Sequence, residues 1–150
     1  MKIIEDEEKI KNNLYKSLKK GKVTLVCQSF RESNQSFIYD FMDYYVSKNK
    51  NNNIYYIHLG TSKDDLGINV DTYLKVTKFQ ELRNIILRGN LSLAVIDFNL
   101  LKIIRKKDGR SIESMLEDIK QLAIHRKIPV LVFSPLPVQI EVSDSHCLIC

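Results

Sequence analysis

Two periodicities alternate along this chain. Short continuous apolar runs, the pattern of buried strands, are separated by longer stretches whose apolar residues recur at helical spacing. Residues 5–19 predict a helix with Ile10, Leu14 and Leu18 on one stripe, broken at Gly21. Residues 22–27, with Val23, Leu25, Val26 and Cys27, read as a buried strand. Residues 36–47 predict a second helix whose packed face is Phe37, Ile38, Phe41, Met42 and Tyr45. A polar run over 48–53 closes it. Residues 54–59 predict the next strand, ended by Gly60. Residues 64–74 are irregular, with a brief strand expected within 70–76. Thr77, with Gln80 three residues on, has the spacing of a capping box. The helix it opens buries Phe79, Leu82, Ile85 and Ile86 and stops at Gly89. Residues 91–97 form a strand that ends in a carboxylate, followed by a polar turn over 106–110. Ser111 caps the clearest helix, with Ile112, Met115, Leu116, Ile119, Leu122 and Ala123 in phase. Pro129 leads into a strand over 130–134, and a weaker strand is expected at 138–142.

Apolar strands that alternate with helices imply a mostly parallel sheet covered on both faces. The expected fold class is therefore α/β, three-layered, with about five strands. The 150 residues form one domain, divided into an N-terminal helix at about 5–19, a core at about 22–136 and a short tail.

Composition narrows the function classes. Hydrophobic residues make up 44% and charged residues 27%, a globular balance that excludes a mostly disordered or collagen-like chain. No apolar run approaches membrane-spanning length, and the acidic start at 5–8 lacks a secretory signal pattern, so the expected location is cytoplasmic with no membrane partner. The net charge of +5 is mild and uneven. Basic residues cluster at 16–22 and 102–110, whereas residues 128–150 contain no Lys or Arg. Three cysteines, Cys27, Cys147 and Cys150, do not form a disulfide framework. Cys27 is expected to be buried. The tail from His146 to Cys150 lacks a second ligand cluster and is expected to be a frayed end, not a metal or prenylation site.

In an open parallel sheet, ligands bind at the carboxyl ends of the strands. The tips to inspect are residues 28–35, 59–61, Asp97, and 134–135. The first lies where a phosphate loop would lie, between a strand and a helix. Such a loop needs glycines, a Lys and a Ser or Thr for magnesium. Residues 28–36 contain no Gly and no Lys, and Glu32 opposes phosphate. Among the histidines, His58 alone stands at a strand tip where proton transfer could be used. Ser134 and His58, read as occupants of neighbouring tips, form no nucleophile–base pair.

Four segments resemble the RecA-type ATPase domain of DnaB-type replicative helicases and the related RecA and KaiC group. Residues 18–26, from Leu18 through Gly21 to Val26, resemble the lead-in to that family's phosphate loop. Residues 57–62, Ile57 to Ser62, resemble its "SLEM" strand end. Residues 93–101, with Asp97 in Ile96-Asp97-Phe98, resemble its "IDYLQL" Walker B stretch. Residues 119–123 and 128–136, with Pro129 and Ser134-Pro135-Leu136, resemble "LKxLAKE…PVxxLSQL". The similarity covers about 14–136 and implies a RecA-like, P-loop NTPase-type core.

The site positions depart from the family together. By register, Asn34 and Gln35, after Ser33, replace the phosphate-loop Lys and Thr. Gly60 replaces the Glu that activates water. Pro135 replaces the Gln that senses the γ-phosphate. Asp97 alone matches, and a strand-terminal Asp also serves as an ordinary helix or turn cap. Phosphoryl transfer depends on positioning and charge stabilisation by such groups. The resemblance therefore implies no catalytic residues and no metal ligands, and no cofactor, with ATP and magnesium disfavoured. The family's later strands, DNA-binding loop, arginine finger and N-terminal domain find no counterpart, so a ring motor is not expected. The expectation leans against an enzyme and toward an interaction module. Its partner would be a replicative helicase, another ATPase or itself, in replication or in bacterial mobile-element or phage biology. The alternatives are nucleic-acid binding through a basic loop, with Lys102, Arg105, Lys106, Lys107 and Arg110, residual nucleotide binding, and dimerisation through an open sheet edge.

Overall fold

The computed structural model describes residues 3–27, 34–48, 53–57, 70–73, 76, 78–134 and 146–147. The elements run α1 (Ile3–Ser17), β1 (Val23–Cys27), α2 (Asn34–Lys48), β2 (Ile54–Ile57), β3 (Val70–Tyr73), α3 (Phe79–Arg88), β4 (Leu93–Asp97), α4 (Phe98–Asp108), α5 (Ile112–Arg126), β5 (Val130–Ser134) and β6 (His146–Cys147). The strands form one sheet in the order β3-β2-β4-β5-β1-β6, and every pairing is parallel. The four central strands, β2, β4, β5 and β1, each have neighbours on both sides; β3 and β6 are the edges.

Side chains alternate across the sheet with period two, so each central strand feeds two cores. Leu93, Val95, Leu131, Phe133, Ile54, Tyr56 and Val26 pack with Leu14 of α1 and with Ile38, Phe41, Met42 and Tyr45 of α2. On the opposite face, Ala94, Ile96, Val130, Val132, Val23 and Leu25 pack with α3, α4 and α5 through residues such as Leu82, Leu101 and Ile119. The α/β architecture with helices on both faces is as the alternating pattern predicts.

Several boundaries differ, for identifiable reasons. The sheet has six strands among the described residues, where about five were expected. The sixth, β6, pairs His146 with Thr24 and Cys147 with Leu25, so the tail expected to fray at these two residues instead lines the edge of β1. That pairing also partly covers the edge expected to be open. The strand expected at 138–142 lies outside the described residues. β4 begins at Leu93, not at residue 91, and α2 begins at Asn34, before the expected 36. α3 begins at Phe79 with Lys78 at its N-cap, one residue later than the Thr77–Gln80 spacing predicts. Glu81 accepts from the Lys78 N–H at 3.0 Å, so the reciprocal Glu sits where Gln80 was expected to serve. The Phe79 N–H donates to Asp108 Oδ2 at 3.1 Å, so the end of α4 caps the start of α3.

The largest correction concerns the basic loop expected over 102–110: residues 98–108 form helix α4, and only 109 and 110 lie outside it. Asp97 ends β4 and is at once the N-cap of α4, with no intervening turn. Gly109, at φ 77°, closes the helix in the left-handed conformation that glycine adopts without a Cβ penalty. Phe98, Leu100, Leu101 and Ile104 are buried and supply the drive to form it.

Candidate functional site

The carboxyl ends of β1, β5, β4 and β2 lie side by side. Asp97 is level with Phe133, which is level with Val26. At the usual interstrand spacing this places the Asp97 tip about 10 Å from the β1 tip, with β5 between them. Asp97 follows Leu93 and Val95 at period two, which puts it on the same sheet face as α2, the helix that follows β1. The phenol of buried Tyr56, on that same face, has its pKa raised, first by burial and then by the nearby Asp97 charge and Tyr39. The strand-end carboxylate of Asp97 and the start of the helix after β1 therefore share one end and one face of the sheet.

Asp97 itself has a structural task. Its Oδ1 accepts from the Asn99 N–H at 2.9 Å, which satisfies one of the unpaired donors in the first turn of α4. Asn34 and Gln35 occupy the first turn of α2 and not the preceding loop. Ser33, Gly60 and Pro135 lie outside the described residues, as does His58. β4 separates β2 from β5, so the tips that precede His58 and contain Ser134 are not neighbours as expected. His125 is exposed on α5.

The five basic candidates separate into two groups. Arg110 is occupied: its Nη2 donates to Ser114 Oγ at 2.7 Å and to Asp118 Oδ2 at 2.5 Å, and its guanidinium lies over the Phe79 ring at 4.6 Å. It is a brace between α3 and α5. Lys102, Arg105, Lys106 and Lys107 are exposed on α4, and among the described residues none of them pairs with a carboxylate. Lys102 lies over the Phe98 ring at 5.7 Å.

The placement of α4 is the feature that sequence reasoning missed. The helix starts at the carboxyl tip of β4. Its end caps the start of α3, and α3 runs back to the amino end, where the Asn53 side chain meets the Asn90 carbonyl. Both ends of α4 therefore lie at the carboxyl end of the sheet. With 11 residues it spans about 16 Å across that end. Arg105, Lys106 and Lys107 fall in its last turn, where cations also offset the partial negative charge of a helix C-terminus.

Among the described residues no helix is long and apolar enough to cross a membrane. No model of a known protein family matches the chain, and no curated protein matches it.

Proposed function

We propose that this chain is a non-catalytic, degenerate RecA/DnaB-type domain that acts as an interaction module in DNA replication or in mobile-element or phage biology. The observation that carries the reading is the state of Asp97. The one residue that matches the family's catalytic positions is half-buried and holds the first turn of α4. The strand order supports the same reading. In dinucleotide-binding and flavodoxin-like sheets the first and second strands are neighbours. Here β4 and β5 lie between β1 and β2, a layout consistent with a RecA-like core. The α/β scaffold supports this reading, and by the register of the resemblance Asn34 and Gln35 replace the Lys and hydroxyl residue that would serve phosphate and magnesium.

Titration calorimetry with ATP and magnesium tests this. The expected result is no tight, magnesium-dependent binding and no hydrolysis above background. Asp97→Ala should leave that null result unchanged while lowering stability by about 1 kcal/mol through loss of the cap. Light scattering after size exclusion should show self-association or co-migration with the purified replicative helicase of the host. Tight magnesium-dependent ATP binding that Asp97→Ala abolishes would favour the residual nucleotide-binding reading instead.

A second reading rests on α4. Four exposed cations on a helix across the ligand-binding end of the sheet form an electrostatic footprint for nucleic-acid phosphates. If all four engage duplex DNA, log K should fall against log salt with a slope of roughly −3.6, and replacing all four with Ala should flatten it. A mobility-shift series with no binding at low salt removes this reading.

A further inference from the structure

We infer that the amino end of the sheet carries an anion-binding pocket for a phosphate-bearing small molecule. A cavity of about 630 Å³ opens between the end of α1 and the residues leading into β4 and β5, and Lys16, Lys20, Lys127, Tyr15, Tyr45 and Ser92 contribute to its lining. That volume lies within the range of pockets that hold small ligands. The site is at the opposite end of the sheet from Asp97. It absorbs the basic cluster at 16–22, which the cleft at the carboxyl end leaves unused.

Its charge is one-sided. Three lysines line it and no carboxylate does. Lys16 also lines an adjoining cavity of about 390 Å³ with Lys19 and Lys22. Four helix C-termini, those of α1, α2, α3 and α5, point their carbonyls toward this end and oppose an anion. Each is equivalent to roughly half a negative charge, so together they offset about two of the three lysines. The balance still attracts an anion. Ser92 Oγ already donates to the Asn53 carbonyl at 3.0 Å, which leaves the ammonium groups as the donors, and a lysine serves phosphate as a compact point charge. Tyr15 and Tyr45 pack edge to face, with ring centroids 5.9 Å apart, and with buried Leu91 and Ile128 they give the pocket an apolar wall for the organic part of the ligand.

Lys127 adds an independent observation. It holds φ 58° and ψ 46° at the C-cap of α5, and among the described residues it is the non-glycine residue with positive φ. Glycine takes this position without penalty, and strained residues concentrate at functional sites. A lysine held there places its charge at the pocket.

Calorimetry at low salt, with inorganic tripolyphosphate and with AMP as probes, tests the pocket. Wild-type protein should bind, and Lys16→Ala/Lys20→Ala should weaken binding at least tenfold. Lys127→Gly should weaken it as well while raising Tm, a split that a purely structural lysine would not give. Lys9→Ala/Arg83→Ala, which removes two exposed cations outside the pocket, should bind like wild type. The inference is overturned if neither probe binds, if Lys127→Gly binds as tightly as wild type, or if this control variant loses as much affinity as the pocket variants. It is also overturned if a single-stranded oligonucleotide outcompetes tripolyphosphate through the same lysines, since the phosphate would then belong to a polymer. None of these outcomes depends on the fate of the interaction-module reading.

Discussion

Phe41→Ala should lower the unfolding free energy by about 4 kcal/mol, within the range for emptying a large aromatic site in a core. Phe41 is fully buried on the inner face of α2, in the cluster that joins α1 and α2 to the sheet. Its neighbours cannot collapse easily into the space it leaves. The sheet beneath is pinned by parallel ladders on both sides of β4 and β5, and Tyr44 and Tyr45 are tied to Tyr15 by ring contacts. A domain of this size has roughly 5–15 kcal/mol in total, so a large share of its stability would go. In urea the midpoint should fall by more than about 1 M with the slope m unchanged. A loss under about 1.5 kcal/mol would mean that α2 does not dock on the sheet through this face.

What could be read in advance was whatever is local in sequence. The α5 face from Ile112 to Ala123, its Ser111 cap and the apolar runs of β1, β2, β4 and β5 all follow from residues within a few positions of one another. The cap is made as its spacing predicts, with Ser111 Oγ accepting from the Ser114 N–H. α4 escaped because its apolar residues follow the strand run of 93–97 with no Gly or Pro between them and only the single polar residues Asp97 and Asn99. The chain switches from period 2 to period 3.6 at Asp97, a residue that ends one element and caps the next. The available signals were the terminal ones: a capping residue at 97, three basic residues in the last turn and Gly109 beyond it.

The candidate sites were legible in proportion to how local they are. The type and order of the residues at 97 and 102–107 were visible, but their geometry was not. Whether Lys102 to Lys107 lie on a loop or across the end of the sheet depends on Asp108 meeting the start of α3, a contact 29 positions apart. Arg110 looked like one more cation of the cluster, because Asp118 and Phe79 come to it only once α3 and α5 pack. The lysine pocket joins residues from Tyr15 to Pro129, and no window along the chain contains it. β6 is two residues long and takes its register from β1, so nothing in its own sequence marks it.

Gly89→Ala should be nearly as damaging as the loss of Phe41, for the opposite reason. Gly89 was legible as a helix stop, and its φ of −79° is open to any residue, so backbone freedom does not explain it. The explanation is space. A Cβ built at Gly89 falls 2.7 Å from the Ile85 carbonyl oxygen and within contact-forbidding range of the Tyr55 ring. That carbonyl accepts the Gly89 N–H at 3.0 Å and cannot retreat without loosening the end of α3. The ring is equally constrained, because Tyr55 is buried and its hydroxyl accepts from the Asn90 N–H at 3.0 Å. Arg126 fixes the same corner by donating to the carbonyls of Leu87 and Gly89. Overpacking typically costs about 1–3 kcal/mol, and losing the Tyr55 bond adds about 1, so the expected loss is about 3 kcal/mol. Tyr55→Leu alone should also destabilise, yet the double variant should lose less than the sum of the two. A coupling of at least 1 kcal/mol in this cycle identifies the ring as the obstacle. Strict additivity would place the conflict at the Ile85 carbonyl instead, because that clash remains whatever residue occupies position 55.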